Sequence, residues 1–224
     1  MKKESVGRIF SNLIIFSVVC IIGALSFVNN LGFTQATSTQ GVVYDGDKRV
    51  VCLVFMLVDE DVTDILEVLD AKGVKANFLV SGKYATNHPE NLVKIVEKNH
   101  EIINHGYLNR DFSALGYAST RDDIKTAEKV ILSACGYTTK LFMPPKGKFN
   151  DSTLVACAEL GYKIVLYSKS AILNEEDKVE ELLESVAMGD VVLLSPSEET
   201  IEVLPEILDG YFSRGLEIKR LSSN

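Results

Sequence analysis

The chain has no tryptophan, and it has only three histidines and five prolines in 224 residues. Any site built on imidazole must draw on His88, His100 and His105 alone. The four cysteines, Cys20, Cys52, Cys135 and Cys157, stand singly with no C-x-x-C pair, which excludes a zinc knuckle and a dithiol redox motif. Buried thiols are the expectation for the last three, because a chain of this length can build a core without a disulfide staple. There is no Lys/Arg block and no interleaved basic and aromatic stripe. With 31 acidic against 23 basic residues and a net charge of -8, nucleic acid is excluded as the main partner. Internal repeats and low-complexity tracts are also absent, which excludes a solenoid.

One long apolar run is present, Leu13 to Val28, broken only by Ser17 and Ser26 and preceded by Lys2, Lys3 and Arg8. With Ile9, Phe10, Leu31 and Phe33 at its fringes it approaches the roughly 20 residues that cross a bilayer. Residues 1–33 are therefore expected to be a signal-anchor segment, with the basic end cytoplasmic and the rest of the chain outside. Thr34-Gln35-Ala36 offers a cleavage site, and the protein would be secreted if it were used. Val18 and Val19 before Cys20 lack the small residue of a lipidation box. Thr34 to Gln40 is polar and uncharged, so 34–48 is expected to be a linker and 49–224 the folded domain.

In that domain short apolar runs alternate with amphipathic stretches. Val50 to Leu57, Ala76 to Val80, Glu101 to Asn104, Lys140 to Met143, Lys163 to Ser168, Val191 to Leu194 and Leu216 to Leu221 read as strands. Helices fill the gaps. Pro89 suits a first turn, Asp151 suits a cap, and Gly161 and Gly215 suit helix stops. The alternation implies an α/β fold with parallel β/α units, either an open doubly wound sheet or a closed or partly closed barrel.

Four segments carry a family resemblance. Gly73 to Val80 (GVKANFLV), His100 to Tyr107 (HEIINHGY), Phe142 to Gly147 (FMPPKG) and Glu159 to Tyr167 (ELGYKIVLY) resemble the polysaccharide deacetylase patterns G-V-K-A-T-F-F-V, G-H-E-I-G-N-H-x-Y, F-R-P-P-x-G and E-L-G-Y-K-x-V-x-W. This family, carbohydrate esterase family 4 with its NodB-homology domain, implies a deformed (β/α) TIM-like barrel and a metal-dependent deacetylase ancestry. It covers the chain from Arg49 to Leu221. In such a barrel the chemistry sits beyond the strands' C-terminal ends.

Hydrolysis of an acetamide needs a divalent metal, a carboxylate base and an acid for the leaving amine. The family's T-F-D-D-G supplies the base and a metal ligand, and here Met56 and Leu57 take those places. His105 is kept, but Asn109 stands where a second histidine belongs. Met143 replaces the arginine that orients the base. Tyr167-Ser168-Lys169-Ser170 and Leu173-Asn174 lack the expected aspartates, and Ser195 replaces the histidine that acts as general acid. A serine hydroxyl is far too weak an acid for that role at neutral pH.

The resemblance therefore implies a degenerate member, with vestigial motif positions at Met56, Leu57, Met143, Ser170 and Ser195. It would be a pseudo-deacetylase whose groove, marked by His105, Tyr107, Pro144, Pro145 and Tyr167, binds a cell-wall glycan, or whose surface docks an envelope protein. No cofactor is expected on this reading. The alternative is a divergent enzyme with a zinc-like ion on Asp59 or Asp61, His105 and Asn109. Against it, an acidic trio opening a helix reads first as a solvated N-terminal turn, and His105 reads first as a hydrogen-bond partner of a loop backbone. A third possibility is a structural envelope or sporulation module.

Overall fold

The computed structural model describes residues 50–171 and 177–222, with the side chains of 177–180 outside the description. The expected anchor (1–33), linker (34–48), Leu173 and Asn174 lie outside the described residues. Among the described residues no helix is long and apolar enough to cross a membrane.

In chain order the elements are β1 (Val50–Met56), α1 (Thr63–Ala71), β2 (Asn77–Val80), α2 (Gly82–Asn87), α3 (Pro89–Glu97), β3 (Glu101–Asn104), α4 (Tyr117–Cys135), β4 (Leu141–Phe142), α5 (Asp151–Leu160), β5 (Lys163–Ile164), β6 (Lys169–Ala171), α6 (Asp177–Ser185), β7 (Val191–Leu194), α7 (Glu198–Ser213) and β8 (Glu217–Ile218). All pairings are parallel, in the order β5-β4-β3-β2-β1-β7-β6 with β8 beside the start of β1. A parallel sheet is covered on both faces, so its central strand is apolar at every position. In β1, Val51, Leu53 and Phe55 join the cluster packed under the helices, while Val50, Cys52 and Val54 join the inner cluster with Leu79, Ile103 and Val191.

The expected strand Lys163–Ser168 differs in an informative way. The run pairs with β4 at its start, through Val165 N to Phe142 O at 2.8 Å, and with β7 from Ser168 onward, through Ser168 N to Val191 O at 2.9 Å. It ends at Ala171, not Ser168. Val165 and Tyr167 face the inner cluster, and Ile164 and Leu166 face the helices. This two-residue alternation continues across the break, so one stretch of chain bridges the two edges of the curled sheet. The gap after β2 holds two helices because Pro89, which has no N–H, starts a new one at its first turn.

Asp151 is not the cap of α5; Asn150 is. Its backbone is extended, its Oδ1 accepts from Thr153 N at 3.1 Å, and Thr153 Oγ1 accepts in return from Asn150 N, completing a capping box. Its Nδ2 also donates to Ser113 O and Leu115 O. Asp151, one residue on, adds only negative charge to the first turn. Asn150→Ala should therefore cost about 2 kcal/mol and Asp151→Ala about 0.5 kcal/mol, read as shifts in urea midpoint. Gly161 and Gly215 do end their helices, both at positive φ. Cys52 and Cys157 are buried, but Cys135 is only half-buried, at the last turn of α4, with its thiol donating to Ile131 O.

Candidate functional site

The parallel sheet directs the C-terminal ends of its strands to one rim, and the motif positions follow it. Met56 closes β1, His105 follows β3, Met143 follows β4 and Ser195 follows β7. Strand alternation then separates Met56 from Leu57. Met56 packs on the inner cluster, whereas Leu57 is buried among the helix-side residues. Met143 is 1% exposed within the inner cluster, and Tyr167 and Leu193 pack against it. Methionine, with its flexible thioether, fills irregular gaps well. Met56 and Met143, the positions the resemblance sets against the family's base and arginine, thus belong to one apolar cluster.

Beside this cluster, His105 is 7% exposed and its Nδ1 lies 2.6 Å from the carbonyl oxygen of Met143. A carbonyl only accepts, so Nδ1 carries the proton and Nε2 keeps its lone pair. Burial pushes the imidazole down to about 4, against the opposing pull of that hydrogen bond, so it is neutral at pH 7. This tautomer is also the one a metal-bound histidine adopts when its other nitrogen donates to a carbonyl. Among the described residues no second metal-binding side chain joins it there. Asn109 is exposed. Asp59 is 85% exposed with Oδ1 2.9 Å from His88 Nε2. Asp61 Oδ1 accepts from Thr63 N at 2.7 Å while Oδ2 lies 3.3 Å from Lys94 Nζ. The hydrogen bond to Thr63 holds the Asp61 carboxyl below its usual range. Glu60 Oε2 accepts from Val58 N and Asp59 N, and its carbonyl accepts from the Tyr84 hydroxyl. The trio thus ties the start of α1 to α2 and α3.

Among the described residues no three His, Cys, Asp or Glu side chains converge as a metal would require. One imidazole with an exposed amide does not fit a zinc-like ion. Ser195 is half-buried, and Ser170 is exposed near the end of β6. Ser168 lies beside the start of β7, away from the rim, where its hydroxyl donates to Asp190 Oδ1 at 2.6 Å. Of the groove residues, His105, Pro144 and Pro145 are buried, while Tyr107 and Tyr167 keep exposed surface.

Sequence reasoning missed the supports of the His105 loop. Asn104 Oδ1 accepts from Gly106 N, and its Nδ2 donates to Ile124 O. Asp123 Oδ1 accepts from Tyr107 N at 2.6 Å, with Arg110 Nη1 3.6 Å from Oδ2. Burial raises the Asp123 carboxyl. A polar residue at a buried helix position was the available signal. Gly106 has φ +78, and a Cβ there would lie 2.6 Å from Asp123 Oδ1 and 2.9 Å from Phe112 Cζ. Gly106→Ala should cost about 2 to 3 kcal/mol by denaturant titration, from the left-handed backbone and these clashes together.

A profile described as "Polysaccharide deacetylase" matches residues 44–165. The chitooligosaccharide deacetylase of Bradyrhizobium sp. (strain ANU 289) is 30% identical over 178 residues, 70% of this chain and 81% of that protein. A family 4 carbohydrate esterase from Bacillus anthracis superposes with a TM-score of 0.69 at 28% identity, over 79% of this chain and 83% of that one. A CE4 family pseudoenzyme from the same species superposes with a TM-score of 0.73 at 23% identity, over 78% of this chain and 64% of that one. A mutant of that pseudoenzyme is described as having restored enzymatic activity. The profile, the matched relative and the curled parallel sheet agree, and the chain belongs to the polysaccharide deacetylase family.

Proposed function

We propose that this family member is a pseudo-deacetylase: an extracytoplasmic, membrane-tethered domain that binds a cell-envelope glycan, or docks an envelope protein, without hydrolysis. The observation that carries the reading is the apolar plug. Met56 and Met143 occupy the places of the base and its arginine, and they pack with Tyr167 and Leu193 instead of leaving a polar cleft. Catalytic groups that act as a unit fail together when one is removed, and here the base, the second histidine and the general acid are all replaced. His105 serves the Met143 carbonyl, and the acids after β1 serve the start of α1.

The glycan half of the proposal rests on the matched relative, a deacetylase named for chitooligosaccharides, and on Tyr107 and Tyr167, aromatic side chains that keep part of their surface exposed. The tether rests on the basic-then-apolar N-terminus. A pseudoenzyme among the structural neighbours gives the non-hydrolytic reading a precedent within the fold. Isothermal titration with chitin and peptidoglycan oligomers tests the binding. Saturable heat is expected, weakened at least tenfold by Tyr107→Ala or Tyr167→Ala, with every acetyl group retained by mass spectrometry. Blank titrations together with blank pull-downs from envelope extracts would remove the binding role.

A further inference from the structure

The strands begin at the opposite end from the plug, and a cavity of about 440 Å³ opens there where β3, β4 and β5 start. Its size falls within the roughly 300–1,000 Å³ of small-molecule sites. The stretch after β8 forms part of its wall. Lys219 N donates to Val51 O, Leu221 N to Asn77 Oδ1 and Ser222 N to Glu101 Oε2, so residues 219–222 cross the starts of β1, β2 and β3 in turn. Leu221 and Ser222 of the strap line the cavity beside Glu101.

Glu101 is the unusual group. It is 2% exposed and lines the cavity, and the Ser222 N–H is the one hydrogen bond described to its carboxylate. Among the described residues no cation comes within ion-pair distance of it. A carboxylate in a cavity wall offers an ammonium that enters the cavity a charge-assisted acceptor. On the other side stand two lysines. Lys140 is engaged, 2.7 Å from Glu128 and over the Tyr162 ring. For the exposed Lys163 ammonium no acceptor is recorded among the described residues. Leu141, Val165 and Leu221 supply apolar wall, alongside Tyr137, Thr138 and Thr139.

We infer that this cavity binds a small zwitterion, an amino acid or short peptide, with its ammonium on Glu101, its carboxylate on Lys163 and its apolar part against Leu141, Val165 and Leu221. The site is separate from the motif rim and does not depend on the glycan reading. An ammonium on Glu101 forms a charge-assisted hydrogen bond, roughly twice as strong as a neutral one.

The test is isothermal titration of the full chain with L-leucyl-L-leucine, its N-acetylated form and its C-terminal amide. The free dipeptide should bind saturably with a Kd of about 1 mM or tighter, and each capped form at least tenfold more weakly. Glu101→Gln should abolish the penalty for N-acetylation, and Lys163→Met the penalty for amidation. Lys163 is exposed, so its replacement probes the site without threatening the fold. Absence of saturable heat up to about 10 mM, capped and free forms binding alike, or a Lys163→Met protein that still discriminates the amide would each overturn the assignment.

Discussion

Met143→Arg, which puts an arginine where the resemblance places the family's, should destabilise the domain by about 3–5 kcal/mol. Met143 is 1% exposed and sits in an all-apolar cluster. A guanidinium placed there loses its water and finds no carboxylate, because the base position is Met56. Met56→Asp, at a half-buried place, should cost less, about 2 kcal/mol. Made together, the two charges can pair, so the double variant should be more stable than the sum of the single losses predicts, by about 2 kcal/mol or more. Urea titrations of all four proteins close this cycle. A Met143→Arg protein within 0.5 kcal/mol of the parent, on the order of an ordinary surface change, would show a wet, polar cleft instead of a plug.

Acid should unfold the protein through two histidines. Burial holds both His100 and His105 down to about 4, against an ordinary value of 6.5. His100 is 1% exposed, and its Nδ1 accepts from Ala76 N at 3.1 Å, so the proton is on Nε2, for which no hydrogen-bond partner is found in the interior. Folded-state values below the unfolded ones mean that the unfolded chain takes up protons first. The neutral-histidine contribution is complete above about pH 6.5 and is lost as pH falls toward 4. At full depth each group costs about 3 kcal/mol. Asp70 acts in a separate window: its bonds to Lys98 and Lys75 lower it to about 2, so its contribution fades only below the ordinary carboxylate value of 3.8. Urea midpoints measured from pH 7.5 to pH 4.5 should drop steeply, and His105→Gln should flatten about half of the slope. A flat profile over that range would contradict the burial of both rings.

Much of the scaffold was legible because its signals are local. The unbroken apolar stretch of β1 announced a strand buried on both faces, and Pro89, Gly161 and Gly215 placed helix ends correctly. The limits were non-local. Lys163–Ser168 reads as one strand, but only the partners on either side show that it runs to Ala171 and joins two sheet edges. Asn150 and Asp151 are adjacent and equally good caps by type, and the extended backbone at Asn150 decides between them.

At the site, the tendency of the acids after β1 to serve a helix start was readable from sequence. How the motif positions pack was not readable. Nothing in the order of residues says that Met56, Met143, Tyr167 and Leu193, from four separate strands or strand ends, meet in one apolar cluster. Nor does it say that the cavity lined by Glu101 lies at the other end of the sheet.

Acetate release from chitin oligomers, with purified chain supplied with excess zinc and then with chelator, is the most direct measurement of whether this rim has lost hydrolysis. The expected result is acetate no higher than in protein-free buffer, unchanged by either addition. Acetate that accumulates with protein and metal, and stops when the chelator is added, would contradict it.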